Sequence, residues 1–190
     1  MPAIKRAFLA AVIAATPFAA YAHTGHGEVS GFLAGFGHPL TGLDHLAAMV
    51  AVGLLAGLAG GRALWLLPLA FVASMLAGAG AALGGVMLPG VEMLILGSVL
   101  ALGLAVVLGF KLPAGALAAA VAFFGLFHGA AHGLKAAGSS TIALYLTGMV
   151  VATAGLHAAG TIVANAIPRV ATQAMGVVVA LIGAGLVLAA

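Results

Sequence analysis

From about residue 41 the chain is a succession of long apolar stretches, broken at short intervals by a charge, a proline or a glycine. The breaks fall at Arg62, at "LPG" (88–90), at Lys111 and Pro113, at "KAAGSS" (135–140) and at Pro168. They divide the chain into six spans, over about 41–60, 63–87, 91–110, 114–135, 140–166 and 170–189. Each is long enough as a helix to cross a hydrocarbon layer, which takes about 20 residues. The expected fold class is therefore an all-α integral membrane protein with six transmembrane helices. The first 22 residues follow a different pattern: Lys5 and Arg6, a short apolar core "AFLAAVIAA", then "AYA" before His23. That order is the signature of a cleavable N-terminal signal peptide. The chain thus reads as a signal peptide over 1–22 and a single six-span domain over 23–190.

Composition agrees with this pattern. Hydrophobic residues make up 65% of the chain and charged residues 5%, against about 25% charged in an ordinary soluble domain. The net charge of +3 comes from scattered residues that form no basic patch, so nucleic acid is not an expected partner and the lipid bilayer is. The chain has no cysteine, which removes disulfides and thiolate metal sites. Arg62, Lys111 and Arg169 follow spans 1, 3 and 5, whereas Lys135, Glu28 and Glu92 fall on the other side. By the positive-inside rule this sets a multi-pass protein in the cytoplasmic (inner) membrane with its mature N-terminus outside. The 29 glycines include two stripes at four-residue spacing, Gly53–Gly57–Gly61 and Gly125–Gly129–Gly133. Such stripes let helices pack closely in lipid, where apolar burial gives no drive to associate. His128 and His132 border the second stripe and so should face protein rather than lipid.

Ionisable residues inside a span cost roughly 2.5 to 3.5 kcal/mol at mid-helix, so the few present need a reason. They cluster. His38, Asp44 and His45 lie at the outer end of span 1, and His128 and His132 in the outer part of span 4. His128 and His132 share a helical face about one turn apart, as do His45 and Met49. His38 is too far along an unbroken helix to join His45. However, Pro39 disfavours helix at His38 and Gly42 loosens the next turn, so the backbone should bend near 38–42 and bring His38 back. Asp44 also fits a capping box with Thr41. His157, alone in span 5, reads either as a packing residue or as a later station on an inward path. Four imidazoles and one carboxylate suit a first-row divalent ion such as nickel, cobalt, zinc or copper(II), and not magnesium. His23 and His26, at the start of the mature chain, form a candidate capture site on the outer side. Glu92, at the outer end of span 3, is a further source of negative charge.

"HPLTGLDH" at 38–45 and "FHGAAHG" at 127–133 resemble the two signatures of the HupE/UreJ family of nickel and cobalt permeases, and the resemblance extends over the whole chain. It implies a secondary transporter importing Ni2+ or Co2+, with His38, Asp44, His45, His128 and His132 at the functional site. The ion would be transported substrate, with no prosthetic group, and the protein would not be an enzyme. One departure stands out: Lys135 occupies a position where the family usually has Glu, and a protonated lysine cannot ligate a cation. With no GxxxxGK[ST] signature, the energy would come from a gradient, the membrane potential or intracellular trapping. Two other classes share these residues: a membrane-embedded zinc-dependent hydrolase, which also needs a general base, and a non-transporting metal-binding accessory protein.

Overall fold

The computed structural model describes residues 31–109, 112–136 and 141–190. The signal segment, His23 and His26 lie outside them, as does the side chain of Lys135. Among the described residues the protein is all helical. Its seven helices are α1 (Phe32–Thr41), α2 (Leu43–Ala59), α3 (Ala63–Leu83), α4 (Val91–Leu108), α5 (Ala114–Ala136), α6 (Ile142–Ala166) and α7 (Arg169–Ala189). α3 to α7 are each long and apolar enough to cross a membrane. α1 and α2 pass that test together, bent by 84° at Gly42.

The first span therefore departs from a single helix over 41–60: helix begins at Phe32 and turns sharply at Gly42, whose φ of −92° and ψ of 119° are extended. The cause is local. Pro39 has no N–H to give the carbonyl of Gly35, and glycine at 42 offers little resistance to leaving the helix. The second span ends at Leu83, earlier than 87, with Gly85 in a positive-φ turn (φ 84°).

Helices pair through glycines. α3 runs along α5, where a Cβ on Gly129 would overlap the carbonyl of Met75 and one on Gly133 would sit 2.5 Å from the carbonyl of Ala79. α2 runs along α6, with Gly53 against the carbonyl of His157, and α4 runs along α7 at Gly103 and Gly183. Backbones that touch in this way gain dispersion contacts that larger residues would forbid. Gly61 does not belong to a stripe: α2 stops at Ala59, and Gly60 and Gly61 form the turn with φ of 65° and 51°. At that end of the bundle Arg169 donates to the carbonyls of Gly109 (3.0 Å) and Leu58 (3.5 Å). Its cationic side chain thus meets the carbonyl-rich C-terminal ends of α4 and α2, where the helix dipole favours positive charge. The histidines gather at the opposite end.

Candidate metal site at the histidine end

The break at Gly42 folds α1 back over the start of α2. As a result the ring of His38 lies 5.7 Å from that of His45, centroid to centroid. His132, from α5, completes the group, 4.9 Å from His38 and 4.8 Å from His45. One ligand nitrogen from each of the three lies within 4.8 Å of the others. A divalent ion with metal–nitrogen bonds near 2.1 Å in a tetrahedral site spaces three nitrogens by about 3.4 Å. The rings would need to draw in by about 1 to 1.5 Å, which side-chain rotation supplies.

Asp44 stands behind this group. Its Oδ1 accepts from Nδ1 of His45 at 3.0 Å. The carboxylate thereby fixes the proton on Nδ1 and leaves the lone pair on Nε2, a buried atom with no hydrogen-bond partner among the described residues. This is the carboxylate–histidine arrangement that orients metal ligands and raises their basicity. The capping alternative is not realised. The N-terminus of α2 has no side-chain cap, and the Thr41 hydroxyl donates instead to the carbonyl of His38 at 3.1 Å.

His128 lies one turn below His132, fully buried, its ring 5.0 Å from that of His45. Its partner, which no motif or spacing marks, is Ser98 of α4. The Ser98 hydroxyl donates its one proton to the carbonyl of Ile95 at 2.6 Å, so its oxygen accepts from Nε2 of His128 at 2.9 Å. His128 consequently carries its proton on Nε2 and presents the lone pair of Nδ1, which is buried without a hydrogen-bond partner among the described residues. A serine in the middle of a span that is apolar beyond Glu92 was the available signal. Tyr145 of α6, 6.3 Å from His38 ring to ring, is a second neighbour that spacing does not mark.

The remaining candidates are more distant. Met49 is fully buried in the apolar core one turn along α2 from His45. Phe127, the aromatic of the second motif and not a candidate ligand, packs on Phe123 at 5.1 Å. Glu92 is exposed on the first turn of α4. His157, in the middle of α6, is buried, and neither ring nitrogen has a hydrogen-bond partner among the described residues.

The apolar helices and the cluster together define a class, a multi-pass helical membrane protein with a group of histidines, two buried and one half-buried, at one end of the bundle. Comparison with known proteins narrows this. The family model described as HupE / UreJ protein matches residues 10–188. Protein HupE of Rhizobium leguminosarum bv. viciae is 40% identical over 176 residues, which cover 90% of this chain and 92% of that relative. No solved structure matches the chain. The chain belongs to the HupE/UreJ family, and membership supports a role connected with nickel or cobalt transport.

Proposed function

We propose that the protein is a secondary permease that carries Ni2+, with Co2+ the close second, inward across the cytoplasmic membrane. The mature N-terminus is outside, six spans cross the bilayer, and the signal peptide over 1–22 is removed. The observation that carries this reading is the approach of His38, His45 and His132 to within 4.8 Å, from both sides of a helix break and from a separate helix. Four of the chain's seven histidines lie in or against that group, and its one aspartate is bonded to one of them.

Transport follows from this chemistry. His23 and His26 capture the hydrated ion outside. The ion loses water to His38, His45 and His132, while Asp44 holds His45 in the ligating tautomer and supplies the opposing charge. His128 takes the ion over from His45 through Nδ1, and His157 is the next nitrogen donor inward. A transport site must bind well enough to select and weakly enough to release. Three neutral imidazoles with an outer carboxylate meet that better than a tetrathiolate. The hydrolase reading needs a free general base. Asp44 is committed to His45, and Glu92 sits exposed at the end of α4.

The test is uptake of radiolabelled Ni2+ into proteoliposomes by the wild type, His45→Ala and His132→Ala. A permease takes up the ion, and both variants lose it. A hydrolase takes up none in any form, and an accessory protein binds Ni2+ at the surface without moving it inside.

A further inference from the structure

Below His128 the line of imidazoles is interrupted by one aromatic ring. Phe71 of α3 is fully buried, with its ring 5.4 Å from His128 on one side and 5.2 Å from His157 on the other. It meets His157 edge to face, at 89° between the planes. Both nitrogens of His157 are buried without a hydrogen-bond partner among the described residues, a costly arrangement for a packing residue. Two more features bear on this ring. Pro68 stands three residues before it in the same helix and has no N–H for the carbonyl of Leu64, so α3 lacks a backbone bond there. An apolar cavity of about 500 Å³ lies between α3 and α6 at that level, lined by Leu64, Pro68, Val72, Ala154, His157 and Thr161.

We infer that Phe71 is the inner gate of the transport path, closing the passage between His128 and His157, and that Pro68 is its hinge. The inference rests on the permease reading above. Phe71 itself lies on the part of α3 that is pinned to α5, where a Cβ on Gly125 would sit 2.7 Å from its carbonyl. The first turn of α3, on the other side of the proline, can bend toward the cavity, since the bond that would hold it straight is missing. The ring then leaves the space between the two imidazoles by side-chain rotation, once the turn at Pro68 yields beneath it. A divalent ion on His128 then finds the lone pairs of His157 within reach. With the ring in place, the passage is filled by a side chain that offers only a weak cation–π contact.

The experiment compares wild type, Phe71→Leu and Pro68→Ala in proteoliposomes, reading Ni2+ entry with an internal metal-sensitive dye. Ni2+ binding to each purified protein is measured alongside. Phe71→Leu shortens the plug and should raise the saturating rate about threefold or more. Pro68→Ala restores a helix bond that must break on opening and should slow the rate by about threefold to tenfold. Both should bind Ni2+ within about twofold of wild type, because neither residue ligates in the triad. Alanine favours helix, so Pro68→Ala is expected to fold, and it decides the matter if Phe71→Leu does not. Unchanged rates in both variants with intact binding overturn the gate, as does faster transport by Pro68→Ala. A wild type that binds Ni2+ and moves none overturns the permease reading itself, and the gate falls with it.

Discussion

Replacing Asp44 tests how the site works, because the structure separates two roles for its carboxylate. Oδ1 lies 3.0 Å from Nδ1 of His45. An ion on the opposite nitrogen would stand about 7 Å from the carboxylate, adding the width of the ring and a metal–nitrogen bond near 2.1 Å. Between one negative and two positive charges at that distance, Coulomb attraction is about 5 kcal/mol at an effective dielectric near 20. The Asp44 side chain is 25% exposed, so solvent screening reduces the figure to about 2 kcal/mol. Asp44→Asn keeps the acceptor and loses the charge, which should weaken Ni2+ binding about thirtyfold. Asp44→Ala also frees the His45 ring and should cost about a further 1 kcal/mol, or roughly a hundredfold or more in all. Titration calorimetry on purified protein measures both. Affinities within about threefold of wild type in both variants would refute the reasoning. A loss beyond about a thousandfold in Asp44→Asn would put the carboxylate on the ion itself.

Other outcomes follow from the same geometry. Gly42→Ala places a Cβ 2.8 Å from Oδ1 of Asp44 and 3.3 Å from Nδ1 of His45, in a backbone conformation that alanine tolerates, so it should reduce Ni2+ uptake by splaying that pair with little change in melting temperature. Gly129→Ala drives a methyl into the carbonyl of Met75 and should destabilise the protein by about 1 to 3 kcal/mol in a detergent melt. Gly97→Ala is the matched control, since nothing lies within 4 Å of its added Cβ, and it should leave the melt unchanged. Metal and protons compete for the same imidazole lone pairs, whose ordinary pKa is about 6.5, so uptake should fall as pH drops from about 7.5 to 5.5, and a flat profile would argue against histidine ligation.

Much of this was legible in the sequence because lipid leaves few alternatives. Apolar length marked the spans, and the bend at 38–42 was readable from Pro39 and Gly42, since proline removes a helix bond and glycine yields. That His128 and His132 share one face of α5 followed from helical spacing alone, although only His132 falls within the group of three. What could not be read lies across helices. Ser98 reaches His128 over 30 residues, and no periodicity announces that contact. Phe71 looks like any other apolar residue of span 2 until α5 and α6 are set beside it. The pattern Thr41–Asp44 misleads because a cap and a histidine-bonding carboxylate use the same residue, and the nearby imidazole wins the contact. Gly61 misleads for a related reason: four-residue spacing continues past the point where the helix stops.

The glycine seams sort the site's nitrogens into two groups. His128, His132 and Phe71 ride on the α3–α5 pair, while His38, His45 and His157 ride on α1, α2 and α6, themselves joined at Gly35, Gly53 and Gly148. α2 and α5 touch little, and the two groups meet mainly where α2 packs on α3. A divalent ion held by His38, His45 and His132 is thus a rivet between two stiff plates. Because methyl-free backbones set each plate's shape, the spacing of the nitrogens is governed by how the plates tilt against each other. Any tilt that loosens the rivet must also shift Phe71 relative to His157.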